Sequence, residues 1–330
     1  MRRFSIGPAA VFVVALALST GLAPPVADAQ PTKVYRIGVV LQGGPYYQAI
    51  KGLKDGLKEL GVEEGTQYLL DIRDVQGDLK AVEAAARTLE QENVDLIYSI
   101  PTSVTLAAKR ATAKVPIVFY AGTDPVVVGL VQSFAKPGGR LTGVHSLSTD
   151  LTAKRLEILK EILPTLRRVV TFYDPGNVSA RESARAAQEA ARQLHIQLVE
   201  RHVQSVEALR ADLGMLKAKE VDACFLVSDA MVISQTQFIV DTANAKKLPT
   251  MSSERGFVVA GGLASYGVSY YALGRLSAKY IHRVLLGTSP ADLPVEEFAR
   301  LELVLNARTA RELGLTIPQS VLIRADEVIP

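Results

Sequence analysis

Apolar strand-like runs and amphipathic helical stretches alternate along this chain, and they do so twice in the same order, which leaves few architectures open. The first series reads Tyr35 to Leu41, Tyr46 to Leu60, Tyr68 to Asp74, Asp78 to Glu92, Leu96 to Ser99, Val104 to Ala113, Ile117 to Tyr120 and Leu141 to Ser146. The second runs through Arg168 to Tyr173, Ser179 to Leu194, Gln197 to His202, Val206 to Lys219 and Ala223 to Val227. The wording repeats as well as the rhythm: Glu92 to Tyr98 parallels Lys219 to Phe225, and Lys114 to Ile117 parallels Lys247 to Thr250. An offset of about 130 residues is what a duplicated unit gives. The expected fold is α/β, with two doubly wound parallel-sheet lobes, against the alternative of one large sheet.

After a strand at Leu263 to Tyr266 come a long helix to about Leu286 and a final strand-like run, Arg300 to Asn306. A tail this short completes existing sheets, so the chain is expected to cross between lobes near Ser146, near Gly267 and near Pro290 to Pro294, forming a three-segment hinge. The resulting division is a first lobe of residues 30–146 plus 267–290 and a second of 147–266 plus 291–330. Residues 1–29 read as a signal peptide: Arg2 and Arg3 precede an apolar stretch from Ile6 to Leu22, and Ala27-Asp28-Ala29 supplies small residues for cleavage. That stretch is interrupted by Gly7, Pro8 and Gly21, and no later segment has the roughly 18 apolar residues of a spanning helix. The mature protein is expected to be periplasmic, soluble and monomeric.

The only cysteine, Cys224, is far from the cleavage site and reads as a buried strand residue, so neither a lipid anchor there nor an internal disulfide is available. Net charge is +3, with both signs scattered, which lacks the footprint of a nucleic-acid binder.

Three stretches in order, Pro137 to Val144, Gly261 to Gly267 and Leu313 to Pro318, resemble the ABC-transporter substrate-binding family that includes tryptophan-binding lipoproteins. The resemblance covers essentially the whole mature chain. It implies a type I periplasmic-binding-protein fold, a cleft between lobes, a small ligand such as an amino acid or related carboxylate, an inner-membrane permease as partner, and no cofactor. Lipid-anchored members carry a cysteine at the processing site, whereas this chain has Ala27-Asp28-Ala29-Gln30.

In open parallel sheets ligands sit beyond the carboxyl ends of strands, near helix N-termini with free amides. Pro101-Thr102-Ser103 follows such a strand, and Thr102 and Ser103 are placed either to hold a carboxylate or merely to cap their helix. Thr123 and Asp124 follow the next strand, where Asp124 either receives an ammonium or shapes the turn before Pro125. In the second series Asp174 and Asn177 follow one strand. Ser228 and Asp229 follow another, at the place matching Pro101-Thr102. A zwitterion needs an acceptor for its ammonium and donors for its carboxylate, so Asp229 opposite Thr102 and Ser103 would serve both ends.

Ser253 and Glu254 are expected at the rim, with Glu254 alternatively in solvent. Gln42 and Tyr46 follow the first strand, where an aromatic face either covers the ligand or packs on its lobe. Tyr266 either lines the cleft or braces the hinge, and Tyr270-Tyr271 is expected to pack between helix and sheet.

Other functions fit less well. There is no G-x-S-x-G elbow, no P-loop and no H-E-x-x-H motif, and His145, His195, His202 and His282 are dispersed, so neither an enzyme nor a metal site assembles. A bilobal transcription factor would need a DNA-reading segment where this chain has its export signal. An exported sensor subunit for a membrane receptor keeps the same fold and remains the alternative role.

Overall fold

The computed structural model describes residues 33–217 and 219–330. The signal peptide and its cleavage site lie outside the described residues. From Val34 onward the chain forms one compact unit.

The first half runs β1 (Tyr35–Leu41), α1 (Tyr47–Glu59), β2 (Tyr68–Asp74), α2 (Leu79–Gln91), β3 (Leu96–Ser99), α3 (Thr102–Ala111), β4 (Ile117–Ala121) and β5 (Leu141–His145). It continues with α4 (Thr152–Ile162), β6 (Arg168–Tyr173), α5 (Val178–Gln193), β7 (Gln197–His202), α6 (Val206–Met215), β8 (Ala223–Phe225), α7 (Ala230–Ser234), α8 (Thr236–Ala245), β9 (Thr250–Ser252), α9 (Arg255–Val259) and β10 (Ala264–Val268). Last come α10 (Tyr270–Leu285), β11 (Glu296–Glu297), β12 (Leu301–Asn306), α11 (Ala307–Glu312), α12 (Gln319–Leu322) and β13 (Glu327–Ile329).

These strands build two sheets, ordered β11-β5-β4-β3-β1-β2 and β13-β12-β10-β9-β8-β6-β7. All pairs are parallel except β10 with β12. The central strands β3 and β4 are buried along their whole length, as continuous apolar runs covered by helices on both faces must be. Two sheets, rather than one large one, therefore carry the two series. Cys224 is buried in β8, and burial pushes its thiol up to about 12.

The chain passes between sheets three times: after β5, between Val268 and Tyr270, and between Glu297 and Leu301. The last passage is later than expected. The sequence division puts Glu296 and Glu297, within 291–330, in the second lobe, yet they pair with Val144 and His145 at the edge of the first sheet. Lys279 and the Tyr280 hydroxyl, both on α10, hold the Glu296 carboxylate there.

Helix α10 returns to the first sheet and lies against α1 at unusually close range. A Cβ on Gly52 would come within 1.9 Å of the Tyr271 carbonyl oxygen, and one on Gly274 within 1.9 Å of that of Ala49. Only glycine permits this approach. The interlock fixes the N-terminal ends of α1 and α10, and with them Tyr46 and Tyr270, as one rigid wall. Among the described residues no helix is long and apolar enough to cross a membrane.

Candidate functional site

Between the lobes lies a small, partly open pocket, about 390 Å³ of protein-free space with the solvent at its mouth counted in. Its first-lobe walls are Tyr46, Pro101, Thr102, Ser103, Tyr120, Gly122, Thr123 and Tyr270. Ser148 comes from the first passage, and Asn177, Ser179, Ser228, Ala230, Ile233 and Ser253 come from the second lobe. Ten of these fifteen residues carry a hydroxyl and none a formal charge, so the walls can donate or accept at either end of a dipolar ligand. A wider groove, about 2400 Å³ measured alike, runs along the interlobe mouth past Gln42, Asp174, Asn177 and Asp229. Two wall atoms of the smaller cavity, Ser103 Oγ and Ser228 Oγ, are buried with no partner among the described residues.

Two helix N-termini from opposite lobes face this cavity. On α3 the N-cap position is Pro101, which makes no side-chain cap; Thr102 Oγ1 instead accepts from the Gly122 amide at 3.0 Å. Ser103 does not cap its helix either, since its buried Oγ has no partner among the described residues. On α5 Asn177 caps, accepting from the Ser179 amide at 3.1 Å. The lobes touch directly: Thr123 Oγ1 donates to Ser179 Oγ at 2.8 Å. They also touch where Gly44, at φ 57°, brings its backbone against Ser234 so closely that a Cβ would lie 2.9 Å from the Ser234 Cα. The lobes are closed.

Three tyrosines form one end. Tyr46 and Tyr270 stack with ring centroids 5.0 Å apart, Tyr120 tilts against Tyr270 at 5.8 Å, and the Tyr120 hydroxyl lies 2.8 Å from Ser146 Oγ. Burial raises the Tyr46 phenol, so it stays protonated and able to donate. Tyr47 instead points outward and donates to Asp74 at 3.0 Å.

The acidic candidates divide. Asp229 is fully buried as the cap of α7: Oδ1 accepts from the Val232 amide at 3.1 Å, and Oδ2 accepts from the Asp174 amide at 2.9 Å and from Asn177 Nδ2 at 3.4 Å. Burial pushes its carboxyl up to about 6 against the pull of these amides. It stands one layer behind the cavity, reaching it through Asn177. Glu254 is not in solvent but only 3 % exposed, with Oε2 unpartnered, and burial raises it to about 7.

Asp124 shapes its turn, its Oδ1 accepting from the Val126 and Val127 amides at 2.7 and 3.1 Å, and it is not among the cavity walls. Asp174 turns its Oδ1 to the Gly176 amide at 2.8 Å. Tyr266 is likewise not a wall; its side chain packs against the second-lobe core and its carbonyl serves the hinge. Gln42 is buried with Oε1 unpartnered on the wider groove. Ser228 offers an unpartnered Oγ to the cavity, and Ser253 lines it.

Sequence reasoning missed Ser148, Ser179, Tyr120 and Tyr270 as walls, and it missed Arg155 altogether. Arg155 is fully buried on α4, where it shares a face with Leu159 and Ile162. That i, i+4, i+7 spacing on the apolar stripe was the available signal.

Sheets of this order, hinged by three passages around one polar cavity, define a type I periplasmic-binding-protein fold. Over residues 35–329 the chain matches the family described as ABC transporter substrate binding protein, and it belongs to that family. A tyrosine-binding protein of Clostridioides difficile is 29% identical over 87% of this chain and 83% of its own length. An ABC domain from Streptococcus pneumonia in complex with L-Trp superposes with a TM-score of 0.80 at 28% identity, covering 90% of this chain and all of that one. A ligand-free, open substrate binding protein from Clostridium difficile covers 90% and 99%, at 25% identity, with a TM-score of 0.59.

Proposed function

We propose that this chain is the periplasmic, signal-peptide-exported solute-binding component of an ABC importer, and that it closes around a single amino acid or related small carboxylate. The observation that carries this reading is the set of buried, partnerless polar atoms at the cleft: Ser103 Oγ and Ser228 Oγ on the cavity and Gln42 Oε1 on the groove beside it. Buried groups are nearly always paired, so such a cluster is matched to a polar guest. The relatives named for tyrosine and crystallised with L-Trp support an amino acid. The closer superposition on the L-Trp complex than on the ligand-free open structure supports a closed, binding-competent arrangement here.

In this mechanism the open protein rocks about its three passages and ligand meets one lobe first. The carboxylate takes Thr102, Ser103 and the α3 N-terminus, and the ammonium takes the Asn177–Asp229 side. The Thr123–Ser179 contact and the tyrosine end then exclude water. The closed pair of lobes presents the loaded state to the permease, whose ATPase supplies the energy.

The test is a thermal-shift screen of protein beginning at Gln30, stripped of ligand, against amino acids, small carboxylates, sugars, nucleosides and vitamins. Ligand at about a hundred times its Kd adds roughly 2.7 kcal/mol, a rise of several degrees. Amino acids are expected to give it. A shift with sugars or nucleosides and none with amino acids refutes the reading.

A further inference from the structure

Arg155 is the one arginine or lysine that is fully buried among the described residues. An isolated guanidinium out of water is strongly unfavourable unless its donors are used. Here three of its donor bonds are local: Nε donates to the Tyr266 carbonyl at 2.7 Å, and Nη2 to both the carbonyl and the hydroxyl of Ser148 at 2.8 Å. Nη1 is buried with no partner among the described residues. Arg155 thus ties the first passage to the strand that precedes the second, and its remaining charge sits directly behind a cavity wall, since Ser148 lines the cavity.

We infer that Arg155 fixes which end of a zwitterion enters first-lobe side down: standing behind Ser148, it supplies the positive potential that selects the ligand's carboxylate at the Thr102–Gly122–Ser148 end. The geometry is contiguous. A Cβ on Gly122 would lie 3.4 Å from Ser148 Cβ and from the Tyr120 hydroxyl, and the Gly122 amide is itself bound to Thr102 Oγ1. Asp229, by contrast, reaches the cavity from the second lobe through Asn177. With no charged residue in the walls, a buried cation one layer back acts through little screening and discriminates a carboxylate from a neutral group of the same shape. Arg155 is therefore a positioning residue for specificity, not a wall.

This inference rests on the amino-acid reading of the cavity. Its experiment is calorimetric titration with the amino acid that gives the largest thermal shift and with that amino acid's carboxamide. Wild-type protein is expected to prefer the acid by roughly ten- to a hundredfold, the scale of a lost charge-assisted interaction. Arg155→Met should bring that ratio close to one, and Arg155→Lys should keep most of it. Ser148→Ala, which leaves the Ser148 carbonyl to hold Nη2 but removes the hydroxyl that relays the charge, should lower the ratio several-fold. If Arg155→Met weakens acid and amide by the same factor, Arg155 is only a hinge brace and the inference fails. If Arg155→Met does not fold, a ratio unchanged in Ser148→Ala, or near one in wild type, overturns it equally. Binding of no amino acid by wild type refutes the amino-acid reading itself, a result separate from any of these ratios.

Discussion

Thr123 and Ser179 lie on opposite sides of the cleft, and their hydroxyls form a 2.8 Å hydrogen bond that exists only when the lobes are together. Thr123→Val keeps the shape and removes the donor. A hydrogen bond of this kind contributes about 0.5–1.5 kcal/mol, so affinity should fall roughly two- to tenfold. Most of that should be in the dissociation rate, with an unchanged unfolding midpoint in the absence of ligand. Stopped-flow binding and thermal unfolding measure the two, and a lowered ligand-free midpoint would mean that the contact is structural.

Asp229 is both a helix cap and the acidic group proposed to face the ammonium, and two substitutions separate these roles. Asp229→Asn retains an oxygen for the Val232 amide and loses the charge; it should weaken amino-acid binding by about 2 kcal/mol while leaving unfolding cooperative. Asp229→Ala loses the cap as well and should also lower stability by about 1–3 kcal/mol. Equal affinities for wild type and Asp229→Asn would remove the residue from the ligand's surroundings.

Glu254 gives a stability difference that depends on pH. Burial is the main cause of its rise to about 7, and the Gly256 and Phe257 amides pull the other way. Below about pH 4 both folded and unfolded chains hold the proton, so the group is neutral to stability. Between about pH 4 and 7 the unfolded chain releases its proton first, and the folded state loses ground as pH rises. Glu254→Gln should therefore match wild type near pH 4 and exceed it by on the order of 2 kcal/mol at pH 8, read by urea denaturation at both values. A difference independent of pH would place the Glu254 carboxyl outside that account.

Gly274→Ala inserts a methyl where 1.9 Å separates its position from the Ala49 carbonyl oxygen. Helices α1 and α10 must separate, at about 1–3 kcal/mol or more, and the midpoint should fall by several degrees. The Tyr46–Tyr270 stack moves with them, so ligand affinity should drop too. Gly287→Ala, which meets nothing within 4 Å but sits at φ 94°, controls for backbone strain alone.

Strands β1, β2, β3, β6 and β7 coincide with the sequence reading to the residue, because each is a short apolar or alternating run with a turn signal at both ends. Helix α6 ends at Met215, four residues early. The site was legible only in outline. The loops after strands that the sequence pointed to hold Thr102, Ser103, Asn177 and Ser228, all of which line the cavity. Ser148 and Ser179 become walls only through lobe closure, a relation between residues that no local pattern encodes. Tyr270 was expected between helix and sheet because it opens an amphipathic helix, yet the glycine interlock turns it onto Tyr46. Arg155 was overlooked because a charged residue in such a helix ordinarily faces water.

The three passages between sheets also bear on how the polypeptide is made. The first sheet lacks its edge until Glu296–Glu297 emerges, and the second lacks β12 and β13 until the last thirty residues do. Neither half can finish while the other is still to be synthesised, and the contacts that complete both span most of the chain. The strand order itself thus leaves an edge of each sheet open until the segment from Glu296 onward has been made.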